Sequence, residues 1–199
     1  MPHITTIGAG LFSDLSFSTD TAFSTSAASG YIDTDWQAFF ATSIALGAAG
    51  GTGKFRRLGN VREFPQMGTP PNIVNVPVYG AKTSSQVQGQ ADAPTFEVTL
   101  NFVPEDWKNA TDYLGKYVGN GTAYAFRFTL LNAEPAGYAS TQAGLGTVKG
   151  GSAGSGKNSQ YFWGGKLEAL QVSPQLTDAN TAIITISIQT VFAGAFTNS

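Results

Sequence analysis

The ten residues "TFEVTLNFVP" (95–104) alternate without a break. Phe96, Val98, Leu100 and Phe102 share one parity, and Glu97, Thr99 and Asn101 the other. A side-chain period of two cannot make a helical stripe; it puts every oily group on one face of a strand. The stretch "AIITISIQTVF" (182–192) repeats the pattern, with Ile184, Ile186, Ile188 and Phe192 on one parity and Thr185, Ser187 and Gln189 on the other. Strands with one oily and one polar face belong to antiparallel sheets that cover a core on one side only.

The remaining chain fits around these two segments. "LFSDLSFST" (11–19) reads as a first strand, with Leu11, Leu15 and Phe17 on one parity. Residues 35–47 fit two templates. Trp36, Phe39, Phe40 and Ile44 make a helical stripe with Asp33 or Asp35 as N-cap; Trp36, Ala38, Phe40, Ile44 and Leu46 make a strand face. "GAAGGTGK" (47–54) breaks either one. In "KFRRLGNVREF", Gly59-Asn60 is a turn signal between two extended pieces. "NIVNVPVYG" (72–80) alternates, and Pro77 requires an edge or a bulge. Pro104-Glu105-Asp106 opens a helix whose stripe is Trp107, Ala110, Leu114 and Tyr117, ended by Gly119-Asn120-Gly121. "AYAFRFTLLN" (123–132) and "YFWGGKLEALQV" (161–172) are strands, the second with a bulge expected at Gly164-Gly165. The expected fold is therefore mainly β: antiparallel sheets packed as a sandwich or open barrel, with one α-helix closing an end.

Composition narrows the function. Charged residues make up 12% of the 199, about half the ~25% of ordinary domains. Such a surface suits contact with neighbours as well as it suits a Gly/Ser/Thr-rich β domain. The net charge is −2, and the only tight basic cluster is Lys54, Arg56, Arg57 and Arg62. That cluster reads as a solvated or interface strand face, because a nucleic-acid backbone site needs many clustered cations. The absence of cysteine removes disulfides and thiolate metal sites. "MPHITTIGAG" lacks the charged and apolar regions of a secretory signal. "WQAFFATSIALGAAGG" is too short and too rich in small residues to span a membrane.

Candidate chemistry is sparse. "GSAGSGKN" (151–158) has the glycines of a phosphate loop. However, Asn158 follows Lys157 where the magnesium-binding Ser or Thr should stand, and the next residues read as strand rather than helix. "GTGKF" (51–55) fails in the same way. His3 is the only histidine and has no partners for a triad or zinc site. Glu105-Asp106 and Asp33/Asp35 occupy helix-start positions, where a capping role is the default. Trp107, Tyr161 and Trp163 would suit a sugar-stacking platform only if exposed. No catalytic residue, metal site or cofactor is expected, and the chain reads as a non-enzyme.

The order of the elements carries a resemblance. "GQADAPTFEVTLNFVPEDWKNATDYLGKYVGNGTAYAFRFTLLN", then a loop, "YFWGGKLEAL" and "DANTAIITISIQTV" resemble the major tail tube proteins of long-tailed, lambda-like siphophages. "FRRLGNVREFPQMGTPPNIVNVPVYG" looks like that family's earlier strands and long loop. The likeness covers about 54–192 and is best at 72–132 and 160–192; residues 9–53 and 133–159 do not match. Order carries it, not any single motif, and a secretion-tube protein of type VI systems shares the fold.

The resemblance implies a single tail tube domain over 1–199. It has an N-terminal arm (about 1–10), a long loop (about 50–72), a Gly/Ser-rich loop (about 133–159) and a C-terminal arm (about 193–199), without the extra immunoglobulin-like domain of some relatives. It further implies hexameric rings, joined sheet edge to sheet edge and stacked helically into a barrel-lined tube. The partners implied are sister copies, a tape measure protein, and tail terminator and tail tip proteins. DNA would transit without specific binding, no membrane is involved, and the place is the virion tail, assembled in the host cytoplasm. The polar strand faces then make Asn75, Glu97, Thr99, Asn101, Thr185, Ser187 and Gln189 the lumen-facing candidates. Arg56, Arg57, Arg62, Glu63, Phe64 and Met67, in the long loop, are the inter-ring candidates. The alternatives are a carbohydrate-binding or adhesive β-sandwich module, favoured by the aromatic content, and a nucleotide-dependent enzyme, favoured only by 151–158.

Overall fold

The protein is described by a computed structural model covering residues 13–40, 55–58, 60–68, 73–80, 82–89, 95–108, 114–130 and 159–194. The strands are β1 (Asp14–Ser18), β2 (Phe55–Arg57), β3 (Val61–Glu63), β4 (Ile73–Val76), β5 (Ser85–Gln88), β6 (Thr95–Asn101), β7 (Tyr124–Leu130), β8 (Ser159–Ser173), β9 (Thr181–Ile188) and β10 (Ala193–Gly194). The helices are short: α1 (Asp33–Ala38), α2 (Pro104–Trp107) and 3-10 turns at Ala28–Gly30 and Leu114–Tyr117. His3, Leu11, Gly59, Ala110, the two terminal arms except for Ala193-Gly194, and the glycine-rich stretch 151–158 lie outside the described residues.

One antiparallel sheet runs β2-β1-β7-β8-β9-β6-β3, with β10 beside β8; β4 and β5 form a separate hairpin. The long strand β8 joins two halves. Its residues 159–165 pair with β7, and 165–173 pair with β9. The strands at opposite ends of the path, β2 and β3, are separated in sequence only by residues 58–60. That link cannot span more than ~14 Å, so the sheet must curl until its ends approach. It does not close into a barrel, because β2 and β3 bond to β1 and β6 rather than to each other. Leu58 N donates to Leu15 O at 2.8 Å, and Asn101 N to Asn60 O at 2.8 Å, so each side of the link stays tied to its own half. Asn60 takes φ 60°, a left-handed turn conformation that asparagine tolerates.

The curl encloses the main core. Leu15 and Phe17 of β1, with Tyr124, Phe126 and Phe128 of β7, meet Val98 and Leu100 of β6 and Ile184, Ile186 and Ile188 of β9. Trp163 stands between the halves, fully buried. It stacks on Phe126 (5.6 Å, 10° between planes), edge-on to Phe96 (5.5 Å), with Phe192 at 5.2 Å. These are the offset and edge geometries that ring quadrupoles favour. A second cluster lies on the outer face of the first half: Trp36, Phe39 and Phe40 cover Phe55, Ala125 and Phe162. Strands β1 and β2 are therefore buried on both faces, whereas β6 and β9 alternate buried and accessible positions.

Several expectations change. The helix expected from Pro104 through Tyr117 stops at Trp107, because Lys108 turns to ψ 127°; a separate 3-10 turn carries Leu114 and Tyr117 into the core. Residues 33–38 are helical, settling the first part of the 35–47 ambiguity; 41–47 lie outside the described residues. The bulge in β8 falls between Leu167 and Ala169, not at Gly164-Gly165. The two glycines instead permit close approach. A Cβ at Gly164 would lie 2.6 Å from Phe23 Cζ, and one at Gly165 would lie 2.7 Å from Ser187 O. The segment 50–72, expected as a long loop with two extended pieces about Gly59-Asn60, carries those pieces as β2 and β3.

Replacing Trp163 by alanine should lower the unfolding free energy by about 3–5 kcal/mol, through lost burial plus the cavity left behind. Tyr79→Ala, at the exposed hairpin turn, should change it by no more than ~0.5 kcal/mol; urea unfolding of both variants checks the contrast.

Candidate assembly surfaces

The second half-sheet, β3-β6-β9 with residues 165–173 of β8, covers the core with one face only. Its other face follows from register. Glu97 sits opposite Thr185, Thr99 opposite Ile183, Asn101 opposite Thr181, and Thr95 opposite Ser187. On the β8 side, Lys166 faces Ser187, Ala169 faces Thr185 and Gln171 faces Ile183. Five of the expected face residues (Glu97, Thr99, Asn101, Thr185 and Ser187) therefore share one accessible polar surface. Gln189, just past β9, joins it: its Nε2 donates to Ser187 Oγ at 3.3 Å, and Ser187 Oγ donates to Glu168 Oε1 at 2.5 Å.

Asn75 is not part of this surface. It lies on the separate hairpin, opposite Gln86. Sequence parity could not have placed it, because parity reports faces and not which sheet a strand joins. Glu168 was missed although alternation places it there: it shares the parity of Lys166, opposite to that of Trp163 and Leu167, and the bulge then brings Ala169 to the same face. Glu63 is set opposite Thr99 by a second irregularity, in β3.

Both lateral edges of this half-sheet lack a strand neighbour among the described residues. The strand β3 ends the path. On the β7 side of β8, pairing stops at Gly165; beyond it Gly119 N donates to Leu167 O at 2.7 Å. Residues 171–173 are exposed.

The hairpin β4–β5 is exposed at all eight strand positions. Val74 pairs with Val87 and Val76 with Ser85 on one face; Ile73 pairs with Gln88 and Asn75 with Gln86 on the other. Val74, Val76 and Val87 thus form an uncovered apolar face on an element that is marginal by itself.

The inter-ring candidates separate by burial. Arg62 and Glu63 are exposed, and Phe64 and Met67 are half-buried against the core. Arg56 and Arg57 are buried, correcting the expectation of a solvated strand face. Arg57 Nε donates to the buried carboxylate of Asp14, and Arg56 lies over the Tyr117 ring at 5.5 Å. The sugar-platform tryptophans are also internal: Trp107 and Trp163 belong to the main core.

Of the acidic pairs, neither Asp33 nor Asp35 is the N-cap of α1, which is Ile32; Asp35 instead reaches back from the first turn, its Oδ2 accepting the Ile32 N–H at 3.0 Å. Glu105 and Asp106 occupy the first turn of α2, with Asn60 Nδ2 3.5 Å from Asp106 Oδ2. The residues after 151–158 are the strand β8, not a helix, so no helix start is there to meet a phosphate. Among the described residues there is no group of three or more His, Cys, Asp or Glu placed to hold a metal, and no helix long and apolar enough to cross a membrane.

Comparison with protein-family models and with curated proteins finds no match to this chain.

Partial burial, and then the neighbouring Glu105, raise the Asp106 carboxyl above its usual value. The folded chain then holds that proton more tightly than the unfolded chain, so this group's contribution falls as pH rises through its folded value. Asp106→Asn should be at least as stable as the parent at pH 7, and the difference should shrink at pH values below the unfolded carboxylate's; thermal unfolding at both pH values reads it.

Proposed function

We propose that the chain is a structural subunit that builds the hollow tail tube of a long-tailed phage, in hexameric rings stacked helically. The observation that carries this reading is the half-sheet with one face on the core, one polar face open, and both side edges without a strand partner among the described residues. Unpaired edges invite β-addition, and assembly is one way to remove them.

The strand directions favour a ring. Along β8-β9-β6-β3 each strand is antiparallel to the next, so β3 runs opposite to β8. Setting β3 of one copy beside 169–173 of the next continues the antiparallel order around the ring. Such a joint is heterologous and propagates, whereas pairing like edges would stop at a dimer. The polar faces then form one continuous wall, with Glu97, Thr99, Asn101, Thr185 and Ser187 on the lumen. That wall carries Glu63, Glu97 and Glu168 against Arg62 and Lys166, with no excess of cations to grip DNA that slides past. The apolar face of the β4–β5 hairpin supplies surface for contact between rings. A tape measure protein would fill the tube during assembly, with terminator and tip proteins at its ends, in the host cytoplasm and then in the virion.

Negative-stain microscopy of concentrated protein should show rings or hollow tubes; a strictly monomeric species by sedimentation overturns the reading. Gln171→Pro and Val172→Pro sharpen the test, because successive residues point their N–H groups to opposite sides of a strand. One of the two removes an N–H from the β9 ladder and unfolds more easily. The other removes one from the free edge, and should keep its thermal stability while losing ring formation.

A further inference from the structure

A buried guanidinium lies beneath the second cluster, where the 20–40 cover meets β2 and β7. Arg127, on β7, has no exposed side-chain surface. Its guanidinium carbon is 4.6 Å from the Phe40 ring and 4.8 Å from the Phe55 ring, and those rings are 5.7 Å apart. One terminal nitrogen is 3.8 Å from Asp14 Oδ2 and donates to Ser16 Oγ at 3.4 Å. Register explains the meeting: Ser16 is opposite Arg57 in β2 and Arg127 in β7. Asp14 and Ser16, two residues apart, share that face. Four parts of the fold converge here: β1, β2, β7 and the segment 20–40, whose aromatic residues cover the sheet.

Burial lowers the affinity of Arg127 for its proton, to about 10; Asp14 opposes the shift and Arg57 adds to it. The group stays charged at neutral pH. A buried ion pair rarely adds net stability over apolar packing, and its attested use is to define a unique arrangement. A planar cation against two rings has directional demands that an ammonium cannot meet.

We infer that Arg127 is a positioning residue that fixes the 20–40 cover and the edge strand β2 on the outer face of the sheet as one unit, distinct from the main core. The cover has other attachments: Trp36 stacks on Phe162 at 5.9 Å, and Ser18 Oγ donates to Phe39 O at 2.7 Å. The guanidinium touches both the Phe40 and the Phe55 ring.

The test is hydrogen exchange by mass spectrometry on the full chain. Arg127→Lys keeps a charge beside Asp14 and removes the plane. Amides of 20–40 and of Phe55–Arg57 should exchange about tenfold faster, the size of a lost cation–π contact. Those of Thr95–Asn101 and Thr181–Ile188 should not change. Phe40→Leu should produce the same local loss, and the double variant should add little to either single one. Equal acceleration everywhere would mean a general stabilising role and overturn the inference, as would wild-type exchange in Arg127→Lys. If that variant does not fold, Phe40→Leu, which leaves the charges in place, carries the same two outcomes.

Discussion

The structure depends on one strand serving two half-sheets. β8 is 15 residues long, about 50 Å of extended chain, and it leaves β7 for β9 at Gly165. Trp163, just before that crossing, fills the space between the halves, where Phe96, Phe126 and Phe192 enclose it. The crossing works because Gly164 and Gly165 carry no Cβ. Phe23 occupies the space on one side, and the backbone of β9 approaches on the other. With larger residues there the sheet would have to open, and the main core would lose its central ring.

The two halves then have different fates. The first half is covered twice, by the main core and by the Trp36–Phe39–Phe40 cluster, so its polar groups had to be satisfied internally. Asp14, Ser16, Arg57 and Arg127 do this for one another. The second half is covered once, and its free face can be Thr, Ser, Asn and Glu at no desolvation cost. The buried ion cluster and the open polar wall are two answers to the same alternation of side chains, set by whether something covers the outer face.

Much of the second half was legible. Phe96, Val98, Leu100, Ile184, Ile186 and Ile188 are buried as their parity required, because a strand covered on one side leaves a period of two in its sequence. Strands covered on both sides leave none. In β1, Leu15 and Phe17 alternate with Asp14, Ser16 and Ser18, yet all five are buried. The basic run Arg56-Arg57 read as a solvated or interface strand face and is buried as well. Of the α2 stripe, Trp107, Leu114 and Tyr117 are buried in the core and Ala110 lies outside the described residues, but the stripe does not form one continuous helix.

By itself the sequence determined which residues of the single-covered strands turn inward, that the sheets are antiparallel, and that no helix follows the glycine-rich stretch at 151–158. Those properties are local, written in spacing two or four residues apart. Only the tertiary structure decided that β2 and β3, three residues apart, belong to opposite ends of one sheet, that Arg56, Arg57 and Arg127 are internal, and that Asn75 stands on a hairpin of its own. Each depends on which distant segment arrives to bond or cover a strand, and pairwise encounters across a hundred residues leave no periodic mark on the chain.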